Sequence, residues 1–149
     1  MKIFFITSTF LILVLGGVAK AEEIYLNCKF VRGDYSSHEP NFSSENIDKN
    51  SEFANDIGIG LNLKSSKITS LTDAYNLNNP EILKLTIAII EWSEKKITFT
   101  YSPTNYAKYT YNLDRLSGNL GRTVDLITDT QKKIKVSSST ECSKQSKKF

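Results

Sequence analysis

KITFTYSPTNYAKYTYNLDRLSGNLGRTVDLI, Lys96 to Ile127, alternates apolar and polar residues through three successive runs. Ile97, Phe99 and Tyr101 alternate with Thr98 and Thr100. Ala107, Tyr109, Tyr111 and Leu113 alternate with Lys108, Thr110 and Asn112, and Leu120 to Ile127 follows. A period of two belongs to half-buried strands, because successive side chains of extended backbone point to opposite faces. Ser102-Pro103-Thr104-Asn105 and Arg115-Leu116-Ser117-Gly118 separate the runs, and both are turn chemistry. The second fits a three-residue hairpin, type I with Gly118 left-handed. Connections this short leave only antiparallel pairing, since parallel neighbours need a long crossover.

The same pattern extends in both directions. Downstream, Asp129-Thr130-Gln131 breaks the chain before a last strand opened by Ile134 and Val136, with Cys142 in phase. Upstream, Leu83, Leu85, Ile87 and Ile89 alternate with Lys84, Thr86 and Ala88, which predicts a strand running into Ile90 and Trp92. Ile57, Ile59, Leu61 and Leu63 alternate with Gly58, Gly60 and Asn62; glycines inside a strand mark a bulge, a bend or close backbone approach. Lys64-Ser65-Ser66-Lys67 reads as a hairpin turn into Ile68–Leu71, and Asn76 to Pro80 as a loop. In the first strand Ile24, Leu26, Cys28 and Phe30 share a face. Gly33 to Asp56 is polar and aperiodic and reads as a surface loop, with one helical turn near Ser51–Asn55.

These signals predict an all-β domain: an antiparallel meander of about eight strands. Two cysteines, Cys28 in the first strand and Cys142 in the last, allow one intramolecular disulfide. A bond between the terminal strands of an up-and-down sheet makes a closed or nearly closed barrel, with a sandwich as second choice. A redox pair would be closely spaced, as in C-x-x-C, so the pairing is structural.

The first twenty-one residues differ from the rest. Lys2 precedes an apolar run from Ile3 to Val18, and Ala19-Lys20-Ala21 places small residues where a signal peptidase reads them. The run is shorter than the ~20 residues of a membrane-spanning helix. The expectation is a signal peptide at 1–21, with no lipid-anchored cysteine beside it, and one domain at 22–149 exported to a periplasm or secreted, not held in a membrane after cleavage. The segment holds two of the 19 basic residues, Lys2 and Lys20, and none of the 16 acidic ones; 17 basic residues against 16 leave a mature charge of +1. That balance supplies no concentrated basic face for nucleic acid.

Chemistry-bearing residues are sparse. His38 is the one histidine, in the polar loop, and with both cysteines oxidised too few ligands remain for zinc. No G-x-S-x-G or phosphate-loop spacing occurs. Glu81, Glu91, Asp114, Asp125 and Asp129 fall near strand ends, and Glu91, flanked by Ile90 and Trp92, is the carboxylate to watch for glycosidase-type chemistry. The aromatics Trp92, Tyr109 and Tyr111 are candidates to face a ligand, against the alternative that they fill the core. Asn41-Phe42-Ser43 fits the glycosylation pattern of exported chains.

Tyr111 to Leu120, YNLDRLSGNL, resembles an Asn/Asp-Arg-x-Ser/Thr-Gly-x-Leu hairpin found in small exported bacterial proteins, mainly alphaproteobacterial, whose function is not established. Those proteins resemble this chain also in a signal peptide, few cysteines and a late Cys near a Lys-rich end, here Cys142 and Lys147-Lys148-Phe149. The resemblance covers the C-terminal third. It implies a compartment and a β fold, and no activity.

The reading that follows is an exported, non-enzymatic β-domain, with no metal and no cofactor, that binds a small ligand or an envelope protein. Two alternatives differ in class: a small carboxylate-dependent hydrolase, and an inhibitor or effector acting through the 33–56 loop.

Overall fold

The computed structural model of the chain describes residues 23–37, 45–51, 53–73 and 76–145. The segment 1–21, His38 and Asn41-Phe42-Ser43 lie outside the described residues. The strands are β1 (Glu23–Ser37), β2 (Glu45–Asn46), β3 (Ile57–Asn62), β4 (Lys67–Thr72), β5 (Asn76–Leu77), β6 (Ile87–Trp92), β7 (Lys96–Thr104), β8 (Ala107–Asp114), β9 (Asn119–Ile127) and β10 (Lys133–Gln145). One helix, α1 (Pro80–Thr86), precedes β6. All belong to one antiparallel sheet in the order β5-β4-β3-β1-β10-β9-β8-β7-β6, with the two-residue β2 added beside β1.

That order is the expected meander with its terminal strands joined. β1 and β10 pair along nearly their whole length, from Tyr25 opposite Gln145 to Ser37 opposite Ile134. Cys28 stands directly opposite Cys142, and the two are disulfide-bonded. The first and last described strands are therefore joined in the middle of the sheet. The sheet remains open between β5 and β6, which do not pair, so the molecule is a half-barrel. Helix α1 joins those two strands in sequence and packs on β4, β6 and β7, so it bridges the gap between the sheet's two edges.

The inner face carries the core. Ile97, Phe99 and Tyr101 of β7, Tyr109, Tyr111 and Leu113 of β8, Leu120 and Val124 of β9, and Ile57, Ile59 and Leu61 of β3 are all buried. Each is one of the alternating apolar positions, which is why the period-two pattern reported the fold so directly. Phe99 stacks on Tyr111 with ring centroids 4.8 Å apart, and the two residues are directly opposite in the ladder. Such pairs add about 0.5–1.5 kcal/mol beyond the area they bury. The β3 glycines act as expected: the register slips between Gly60 and Leu61, and a Cβ on Gly60 would lie 2.5 Å from the hydroxyls of Thr69 and Ser70.

Four sequence expectations need correction. The loop expected from Asn76 to Pro80 opens with β5, where Asn76 pairs with Thr72 and Leu77 with Leu71, and its last residue already belongs to α1. The alternation from Leu83 to Ile89 does not form one strand; its first half is α1. Asn79 caps that helix by accepting from the Glu81 N–H at 2.9 Å, and Pro80 supplies a helical φ at the first position. In a segment this short, Leu83 can be buried by a helix as well as by a strand, and the cap decides. The polar loop does not begin at Gly33, because β1 continues to Ser37. A bulge between Phe30 and Arg32 reverses which residues point inward, so the run resumes with Gly33 buried and Tyr35 packed on the core. The turn after Asp114 is one residue longer than the expected hairpin: the Gly118 N–H donates to the Asp114 carbonyl at 2.9 Å. Gly118 is left-handed as expected, with φ of 75°.

Candidate functional site

Among the described residues, the sheet's inner face contains one buried cation. Arg122 lies between Leu120 and Val124 on β9 and is 1% exposed. A buried guanidinium needs a counter-charge and acceptors for its five N–H groups. Asp73, just past the end of β4, supplies the charge through an ion pair to Nη1, and its own side chain is 3% exposed. Arg122 Nη2 donates to the Phe53 carbonyl, Nη1 also to Asn55 Oδ1 at 3.0 Å, and Nε to Ser138 Oγ at 3.1 Å. Asp73 accepts further from Asn55 Nδ2 at 2.7 Å and from the Tyr111 hydroxyl at 2.6 Å. The cluster ties the segment before β3 and the turn after β4 onto β8, β9 and β10. Both Asp73 oxygens are engaged, so this carboxylate is a structural acceptor rather than a free base.

Of the three candidate ligand-facing aromatics, two are core residues. Tyr109 is 4% exposed and Tyr111 fully buried, their rings stacked 6.4 Å apart. Trp92 is half-buried at the end of β6, opposite Ile97, and packs on the core. None of the three lines the cavities described below. Burial, with the Asp73 carboxylate next to it, holds the Tyr111 phenol well above its ordinary value of 10.0. Its neutral form is favoured in the fold, so its contribution is complete below pH 10 and is lost as the pH rises towards the folded value. A spectrophotometric titration should therefore find fewer than the seven tyrosines ionising before alkaline unfolding. Reversible ionisation of all seven in the folded protein would contradict the buried hydrogen bond.

Glu91 is exposed, 3.4 Å from Lys96 Nζ, and accepts from Ser93 Oγ at 3.3 Å. Those are the contacts of a surface ion pair at a strand end. The YNLDRLSGNL hairpin resolves into local roles. Asp114 Oδ1 accepts from the Leu116 and Ser117 N–H groups, which lowers the Asp114 pKa. Arg115 reaches the Ser93 carbonyl at 2.7 Å, Gly118 turns the chain, and Leu120 enters the core. Among the described residues no group of His, Cys, Asp or Glu side chains converges as metal ligands do.

A concave feature outside the core lies at the seam. An open cavity of about 510 Å3 is lined by the β3–β4 hairpin on one side and by α1 and the start of β6 on the other. Ile68, Leu83, Ile87 and Ile89 form its apolar wall, while Lys67, Lys84 and Glu81 stand around it. Thr69 also lines it, at the residue bulged out of the β3–β4 ladder, and its Oγ1 is buried without a hydrogen-bond partner. A smaller cavity of about 290 Å3 lies beside the disulfide, between Leu26, Leu61, Leu113 and Cys142.

No family model matches the chain, and no curated protein or solved structure is similar to it. The site is therefore read from its own chemistry. Its volume falls within the roughly 300–1,000 Å3 of small-molecule pockets. It is apolar with a few polar groups, and it sits where the sheet lacks a neighbouring strand. The sequence pointed elsewhere, to aromatics on β6 and β8. The signal it did carry was Asn79-Pro80, a helix start that breaks the meander at one point.

Proposed function

We propose that this chain is an exported, non-enzymatic β-domain that binds a small, largely apolar ligand in the cavity between the β3–β4 hairpin and α1. The observation that carries the reading is the seam itself: the half-barrel is sealed at its termini by Cys28–Cys142 and left open between β5 and β6, where an apolar cavity faces a short helix. Export is supported by the sequence of Lys2, the apolar run and Ala19-Lys20-Ala21, and by the disulfide, which persists in oxidising compartments. No helix among the described residues is long and apolar enough to cross a membrane.

The test uses a neutral fluorescent probe, N-phenyl-1-naphthylamine, followed by thermal unfolding in its presence. Probe at 100 times its Kd should stabilise the fold by about 2.7 kcal/mol, raising Tm by roughly 10 °C. Ile89, 40% exposed at the cavity, gives the local control: Ile89→Glu should weaken the probe at least tenfold without lowering the Tm of the free protein. Unchanged probe affinity in that variant would place binding elsewhere, and no binding at all would remove the reading.

A further inference from the structure

Lys67 and Lys84 approach the seam cavity from opposite walls, one opening β4 and the other on α1. Both are exposed, and among the described residues neither has a carboxylate within ion-pair distance, whereas Lys29, Lys96 and Lys135 each do. Glu81 is the one carboxylate of the cavity wall, so the lining carries a surplus positive charge. Beneath them Ile68, Leu83, Ile87 and Ile89 present no polar side-chain atom. Polar and apolar partners are thus segregated: two lysines at the walls and aliphatic carbon between.

We propose that the ligand of this cavity is a single-chain amphiphile with an anionic head, its carboxylate or phosphate held between Lys67 and Lys84 and its alkyl chain laid against Leu83 and the three isoleucines. The inference rests on the seam cavity being the binding site and adds the head-group charge. An ammonium on a flexible stem suits such a head, because it follows a charge without requiring one fixed geometry. Binding at an open mouth keeps the head partly hydrated, so neither partner bears the full cost of desolvation.

Decanoate, decanol and decyltrimethylammonium share one chain length and differ in head charge. Titration calorimetry below their micelle concentrations should rank decanoate first, about tenfold or more ahead of decanol, with the ammonium weakest. The decanoate advantage should shrink with added salt, as exposed charge pairs do. Shortening the chain to octanoate should weaken binding by about fourfold per methylene. In Lys67→Gln/Lys84→Gln, both changes being on exposed side chains, decanoate should fall to the affinity of decanol while decanol itself is unaffected. Equal affinities of decanoate and decanol for the unaltered protein would overturn the head-group assignment and leave the cavity as an apolar site. Binding of none of the three would overturn both.

Discussion

Asp73→Ala will destabilise the protein by about 3–5 kcal/mol, the usual cost of removing one partner of a buried ion pair. The change leaves Arg122, 1% exposed, with only neutral acceptors: the Phe53 carbonyl, Asn55 and Ser138. It also orphans the Tyr111 hydroxyl, whose acceptor is the Asp73 carboxylate. Against a typical net stability of 5–15 kcal/mol, that brings the variant close to its unfolding threshold. The control is Asp73→Ala/Arg122→Met. It removes the stranded charge and should be no less stable than Asp73→Ala alone, because the dominant cost of the single change is an uncompensated guanidinium. Urea midpoints followed by circular dichroism measure both. A loss below 1 kcal/mol in Asp73→Ala, or a double variant whose losses simply add, would mean that Arg122 is hydrated rather than sealed in the sheet.

Cys28→Ser/Cys142→Ser should cost about 3–5 kcal/mol, with the native sheet retained at low temperature. The bond joins residues 114 apart in sequence, and in the chain-entropy account a loop of that size restricts the unfolded chain by about 4–5 kcal/mol. In the folded state the same two residues already face each other across the β1–β10 ladder, which continues from Tyr25 to Ser37. The bond therefore acts mainly on the denatured ensemble, and its removal should leave ligand affinity at the seam unchanged below the new, lower Tm. Denaturation with and without reductant gives the stability difference, and probe titration of the reduced protein gives the second readout. A reduced protein as stable as the oxidised one would show that the β1–β10 pairing alone holds the ends together.

How far the sequence could be read follows from where its signals are local. The strands β7, β8 and β9 were legible because Phe99, Tyr111, Leu120 and Val124 keep strict phase with their neighbours and their turns are short. The disulfide was legible because two cysteines have one pairing. The far half of β1 was not, because the bulge after Phe30 inverts the alternation and makes Gly33 and Tyr35 look out of phase. Helix α1 was hidden under Leu-Lys-Leu-Thr-Ile, a pattern that satisfies both periods over so few residues, although Asn79-Pro80 marked its start.

The ionic cluster was half visible. Arg122 is in phase with Leu120 and Val124, so a strict reading of the alternation places a charge on the inner face. Its partners, Asp73, Asn55 and the Phe53 carbonyl, lie 49 to 69 residues away, and no local period reports them. The seam cavity was hidden for another reason: its lining falls within one stretch, Ser66 to Ile89, but only the placement of α1 against β4 brings its residues together, and most of them look like ordinary strand positions.

The pairing of β1 with β10 carries a topological consequence. Tyr25 and Gln145 are partners in the ladder, so the two ends of the described domain lie side by side at one edge of that strand pair. Joined by a short linker and opened instead in the Asn78–Asn79 connection, the chain would begin at α1, pass through β6 to β10, continue into β1 and end at β5. A circular permutant of this kind would trace the sheet from one edge to the other, with the β1–β10 pairing of the present chain made local. The seam, where β5 and β6 stand unpaired, is thus the natural start and finish of this strand order.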